Sequence, residues 1–146
     1  MKASPLSFAL ALFTGLAFVS AARAADSPFQ ADLSCRPTEG PGRIVCELEA
    51  RATEGKLVWS DAIVVRAPAF AKPLRSRFVA QLGSASAPGG ASAKLALVAS
   101  EAGAGKLELM ARGVICREGP AGEWCEPVRA PVSVEIRVAP PSSKAP

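Results

Sequence analysis

Apolar and charged residues alternate along several segments of this chain, and this period of two constrains the fold more than any other feature. In segment 43–52 (RIVCELEARA), apolar side chains occupy every even position and charged side chains occupy most positions between them. Segments 94–100, 106–113 and 132–138 repeat the alternation. Because successive side chains of a β-strand point to opposite faces, each segment predicts a strand with one buried face. The predicted core residues are Ile44, Leu48, Leu107, Leu109, Val134 and Ile136.

Turn sequences between the alternating segments predict how the strands connect. Residues 53–56 (TEGK) predict a hairpin that joins strands 43–52 and 57–67, and residues 101–105 (EAGAG) predict a second turn of the same kind. Seven or eight strands about ten residues apart, with no helical periodicity after the leader, predict an all-β fold. We expect an antiparallel immunoglobulin-like or fibronectin-like β-sandwich over residues 25–138, with a small barrel as the alternative.

The middle of the chain lacks this alternation and contains two prolines. Pro68 and Pro73 have no amide hydrogen to donate, which excludes a central strand at these positions. Residues 66–77 are therefore expected to cross the fold in an extended form, with Phe70 and Leu74 turned inward.

Three further segments complete the predicted domain. Residues 78–82 (FVAQL) predict a short strand. Residues 83–93 (GSASAPGGASA) are small and predict a loop that adds nothing to the core. The Pro/Ser tail at 139–146 is expected to be disordered.

The N-terminus has the features of a secretory signal peptide. Lys2 precedes an apolar run over residues 6–19, and the small side chains of Ala22 and Ala24 follow it, so cleavage is expected just before Ala25. An uncleaved membrane anchor is the alternative, but this run is shorter than the roughly 20 residues that span a bilayer. We therefore expect export to the periplasm or the extracellular medium, without stable membrane insertion after cleavage.

The four cysteines predict two disulfides, because disulfides persist in exported proteins. Turn residues separate Cys35 from Cys46 and Cys116 from Cys125, which favours these two short-range bridges. The alternative is an immunoglobulin-type bridge from Cys46 to Cys116, because Trp59 follows Cys46 at a suitable distance.

Composition removes several classes of function. The chain has no His, which excludes Ser-His and Cys-His catalysis and His-metal sites. Loss of the leader leaves 15 basic against 13 acidic residues, so the net charge of +2 gives no case for nucleic-acid binding. Glu47 and Glu49 share a strand face with Arg43 and Arg51, which indicates a solvated face rather than a catalytic pair. We expect no enzymatic activity, no metal and no cofactor.

Two features suggest contacts with a partner. Arg66, Lys72, Arg75 and Arg77 place four cations in twelve residues without an acid, so they could contact an anionic surface or simply keep this edge soluble. Trp124 precedes Cys125 and could serve as an exposed contact anchor or pack on the disulfide.

These observations favour an exported, non-catalytic module that binds a partner or has a structural role. The partner would be a protein or an anionic surface of unknown identity, and the oligomeric state is left open. The alternative function is a secreted inhibitor that presents the Cys116 to Cys125 loop to a partner enzyme.

The first prediction concerns the leader. The exported protein should begin at Ala25, because Ala22 and Ala24 fit the small-residue requirement of signal peptidase. N-terminal sequencing of the secreted product measures this, and Met1 retained in a membrane fraction would instead establish the anchor.

Overall fold

A computed structural model describes residues 27–143 of the chain. The predicted leader, with Ala22, Ala24 and Ala25, and the end of the predicted tail lie outside the described residues. Residues 27–143 form strands and no helix. They therefore contain no helix that is long and apolar enough to cross a membrane.

The chain forms two sheets. Their ten strands are β1 (Phe29–Cys35), β2 (Thr38–Glu39), β3 (Gly42–Ala52), β4 (Lys56–Arg66), β5 (Ala71–Pro73), β6 (Arg77–Val79), β7 (Gln81–Leu82), β8 (Ala91–Ala99), β9 (Gly103–Gly119) and β10 (Gly122–Ala139). The first sheet has the order β1-β3-β8-β5, with β7 also paired to β8. The second sheet has the order β2-β10-β9-β4-β6. All pairings are antiparallel except that between β2 and β10.

The core contains residues from both sheets, as the alternation predicts. Ile44 and Leu48 of β3 and Leu107, Leu109 and Ile136 of β9 and β10 are buried, while Val134 is only partly buried. Many of the remaining core positions hold alanine: Ala50, Ala62, Ala71, Ala80, Ala91, Ala93, Ala99 and Ala111. The two-sheet arrangement is consistent with a β-sandwich.

The predicted hairpin between strands 43–52 and 57–67 is wrong. β3 pairs with β1 and β8 in the first sheet, whereas β4 pairs with β9 and β6 in the second. The short turn therefore carries the chain from one sheet to the other, so the apolar sides of β3 and β4 face the same core from opposite sides. Gly55 permits this crossing: its φ is +79°, and an added Cβ would lie 2.7 Å from the Cys116 carbonyl oxygen.

The turn predicted at residues 101–105 also joins different sheets rather than a hairpin. β8 belongs to the first sheet and β9 to the second. Gly105 lies within β9, and an added Cβ there would be 2.8 Å from Pro68 Cβ. The absence of a side chain at Gly105 therefore lets β9 pack closely against the segment that contains Pro68.

The proline-containing segment forms an edge, and one of its two predicted core residues is wrong. Phe70 packs against the core, but Leu74 is 59% exposed. β5 adds to β8, and Leu74 N donates a hydrogen bond to the Ala96 oxygen, so strand alternation turns Ala71 inward and Leu74 outward. Pro73 occupies an edge strand, as expected for proline.

The next two segments also differ from prediction. Residues 78–82 contribute to two short strands in different sheets, β6 and β7, separated by the buried Ala80. The supposed loop at 83–93 includes the start of β8, where Ala91 and Ala93 are part of the core. Alanine is small enough to resemble loop composition yet apolar enough to be buried.

The final predicted strand is the end of a much longer hairpin. β9 and β10 pair continuously from the Gly119–Gly122 turn to Gly103–Val138. Cys116 is bonded to Cys125 across this hairpin, and Cys35 is bonded to Cys46 across β1 and β3. Both predicted bridges are therefore confirmed, and the Cys46 to Cys116 alternative is excluded. Ala139 ends β10, leaving the predicted disorder of the tail untested.

The second prediction tests the shared core. Leu109→Ala should lower the free energy of unfolding by about 2–5 kcal/mol, because it opens a cavity between the sheets. Val65→Ala, at an exposed position, is the control and should change it by no more than about 0.5 kcal/mol. Chemical denaturation measures both, and equal small effects would contradict the core assignment.

Candidate functional site

A carboxylate is buried beneath two arginine side chains on the outer side of the second sheet. Asp61 of β4 has no solvent-exposed surface. Arg112 Nε of β9 donates a hydrogen bond to Asp61 Oδ1 at 2.7 Å, and its Nη2 donates to Oδ2. Arg77 Nε of β6 donates to Asp61 Oδ2 at 2.6 Å. One carboxylate therefore connects three neighbouring strands through charged hydrogen bonds.

The electrostatics keep all three groups charged. Burial raises the pKa of Asp61, but the hydrogen bonds from Arg112 and Arg77 outweigh burial and hold that pKa below its ordinary value of 3.8. The hydrogen bond to Asp61 likewise raises the pKa of Arg112 against the opposing effect of desolvation. Asp61 is thus an ionised acceptor at neutral pH, a state that orients guanidinium groups and does not donate protons.

A groove lies beside this network. The Arg112 guanidinium carbon is 5.9 Å from the centre of the Trp59 ring, a cation–π distance. Trp59, Arg112, Val114, Pro127 and Arg129 line most of a groove with a volume of about 470 Å³. We name the outer surface around this groove the Trp59 face; its residues are Trp59, Val79, Met110, Arg112, Val114, Pro127 and Arg129.

Arg129 is electrostatically unusual on this face. It is directly opposite Arg112 in the β9–β10 register, a placement that is unfavourable for two like charges. Asp61 forms an ion pair with Arg112, but within the part of the chain that the structure describes no carboxylate lies at ion-pair distance from Arg129. The exposed Arg129 guanidinium therefore retains its capacity to bind an external anion.

Two prolines restrict the neighbouring edge of the sheet. The Cα atoms of Cys116 and Cys125 are 4.0 Å apart, which is typical of a non-hydrogen-bonded pair. Every second residue of β10 from Cys125 onward therefore points its backbone nitrogen and carbonyl oxygen away from β9. Pro127 and Pro131 are among these residues. Since proline has no amide hydrogen, these residues interrupt the edge and oppose addition of another strand. The outer face is more available to a partner than this stretch of edge.

The structure divides the predicted basic segment between the two sheets. Arg66 and Arg77 belong to the second sheet, where Arg66 is 3.7 Å from a Glu108 carboxylate oxygen and Arg77 binds Asp61. Lys72 and Arg75 lie on or beside β5 of the first sheet, and no carboxylate among residues 27–143 is at ion-pair distance from either. The four cations are thus divided between the two sheets.

Trp124 lies near the tip of the β9–β10 hairpin and is 47% exposed. The Arg117 guanidinium carbon is 5.2 Å from its ring centre, and Arg117 Nη1 is 2.7 Å from a Glu126 oxygen. Cys116, Cys125 and Glu123 also lie close together. The two sulfurs are bonded to each other, so neither is a thiolate that could bind a metal.

The sequence interpretation missed the Asp61 network. The available signal was a single acidic residue within the apolar segment 57–67, where an unpaired charge would be costly to bury. Its partner Arg112 follows 51 residues later. A spacing of that length identifies no pair in a single sequence.

No protein-family model matches this chain, and a search of curated proteins finds no match either.

The third prediction tests the Asp61 network. Asp61→Asn should lower the free energy of unfolding by about 3 kcal/mol at pH 7. This value is at the lower end of the range for a broken buried ion pair, because both arginines are partly solvated. Glu108→Gln removes a surface carboxylate and should cost at most about 1 kcal/mol.

The same network sets a pH dependence. The pKa of Asp61 is lower in the folded than in the unfolded state, so its stabilisation is complete above about pH 5 and is lost as the pH falls through the folded-state pKa. The difference in stability between wild type and Asp61→Asn should shrink over that acidic range. Urea titrations at several pH values measure it, and a constant difference would contradict the assignment.

Proposed function

We propose that this chain is an exported, non-catalytic interaction module that binds a protein partner through the Trp59 face. The observation that carries the proposal is the groove beside Trp59, whose arginine is fixed by a buried carboxylate. Two disulfides support export, because such bonds are typical of exported proteins. We further propose an immunoglobulin-like or fibronectin-like sandwich, since the strands divide into two sheets that share one core.

The composition of the Trp59 face favours a protein partner. Trp, Met and Arg are enriched at the centres of protein interfaces, and Trp59, Met110 and Arg112 lie on neighbouring strands here. Asp61 holds Arg112 in place before binding, which reduces the conformational entropy lost on association. Arg129 would bind a carboxylate of the partner and thereby offset its repulsion from Arg112.

A second candidate function is inhibition of a partner enzyme by the β9–β10 hairpin tip. The exposed Trp124 ring on a disulfide-linked hairpin favours it, because a constrained loop loses little entropy when it binds. The tip offers one large apolar side chain, whereas the Trp59 face offers several around a groove. The face is therefore the leading candidate.

The fourth prediction separates these candidates. Immobilised mature protein should capture a partner from an extract of the source organism, and Arg129→Glu should weaken that partner's binding by at least about 30-fold, as expected for an interface hot spot. Trp59→Ala should have a comparable effect, and calorimetry with the identified partner measures both.

Two variants serve as controls for this experiment. Arg51→Glu makes the same charge change on the first sheet and should leave binding unchanged. Trp124→Ala should also retain it; loss of binding in this variant alone would favour the hairpin instead. Unchanged binding of Arg129→Glu and Trp59→Ala would refute the role of the Trp59 face.

A further inference from the structure

We propose that the outer face of the first sheet docks on an anionic lipid surface. Three exposed aliphatic side chains mark this face: Leu74 is 59% exposed, Val98 42% and Val45 37%. They are neighbours across three strands, because Val45 is paired with Ala96, and Leu74 N donates a hydrogen bond to the Ala96 oxygen. A contiguous aliphatic patch therefore faces away from the core.

Cations surround this patch. Lys72 is in register with Val98, which is itself in register with Arg43, so both cations flank the same aliphatic residue. Lys94 lies two residues before Ala96, on the same outer side of β8. We name the combined surface the Lys72 face; its residues are Arg36, Arg43, Val45, Glu47, Lys72, Leu74, Lys94, Ala96 and Val98.

These cations are available to an external anion. Among residues 27–143, no carboxylate lies at ion-pair distance from any cation of the Lys72 face. Arg36, Arg43 and Lys94 line a groove of about 350 Å³ that also contains the Ser34 hydroxyl and the Glu47 carboxylate. The groove carries a net charge of +2, which suits the phosphate of a lipid headgroup.

The chemistry of this face fits a lipid surface better than an acidic protein. The aromatic and Met residues that anchor protein interfaces do not belong to the Lys72 face. Aliphatic side chains bordered by cations suit a membrane interface, where apolar groups enter the acyl boundary and cations contact anionic headgroups. Asp32 and Glu49 lie toward the opposite end of the sheet, so charge repulsion would tilt that end away.

The fifth prediction is tested by vesicle flotation of the mature protein. Phosphatidylcholine vesicles containing phosphatidylglycerol should bind the protein, and pure phosphatidylcholine vesicles should not. Arg43→Gln with Lys94→Gln should weaken binding roughly fivefold for each charge removed. Leu74→Ser should weaken it by about tenfold, because a leucine side chain no longer leaves water.

Matched variants on the second sheet test whether the effect is local. Lys56→Gln with Lys106→Gln also removes two positive charges, but from the second sheet. This control should weaken binding by at most about twofold, because exposed charges are screened beyond about 8 Å. Val65→Ser removes an equally exposed aliphatic side chain and should leave binding unchanged. Equal losses from both double variants would refute the assignment to the Lys72 face.

Two results would overturn the lipid assignment itself. One is equal binding, or no binding, to anionic and neutral vesicles. The other is binding to polyglutamate without binding to anionic vesicles, which would assign the face to an acidic protein. Because flotation requires no protein partner, failure here would leave the proposed role of the Trp59 face unaffected.

Discussion

The hydrogen bonds of Asp61 join three strands of the second sheet, β4, β6 and β9, through their side chains. Transfer of a lone carboxylate into the interior would be strongly unfavourable, so its burial requires both Arg112 and Arg77. Arg77 belongs to the three-residue strand β6, which has few backbone bonds of its own. Arg112 in turn contacts Trp59. The position of β6 and the shape of the groove thus depend on one charged group.

Covalent bonds compensate for a core of small side chains. Alanine fills many interior positions, and each contributes less buried apolar area than a leucine or isoleucine would. Each disulfide joins neighbouring strands and contributes roughly 3 kcal/mol by restricting the unfolded chain. Both bridges lie within sheets, so packing and the short crossings between sheets, including the one at Gly55, hold the two layers together.

Sequence alternation predicts strands and their buried sides well, because burial of Ile44 or Leu109 requires only a local period of two. It does not determine which strands pair. A short turn such as residues 53–56 can join a hairpin or cross between sheets, and both arrangements bury the same side chains of β3. The Asp61 network is harder to predict from the sequence than the strands, because Asp61 and Arg112 meet only after β4 and β9 pair. The division of Arg66, Lys72, Arg75 and Arg77 between two sheets was also not predictable, because the chain changes sheet within that segment.

The two proposed binding faces lie on opposite outer surfaces, and their arginines differ in kind. Arg112 on the Trp59 face has a fixed direction, which favours a partner of one defined shape. The cations of the Lys72 face form no ion pair among residues 27–143, which favours a fluid array of anionic headgroups. Packed sheets lie about 10 Å apart, so occupation of one face would not obstruct the other. A module built this way could hold a protein partner at a membrane surface while both sheets remain intact.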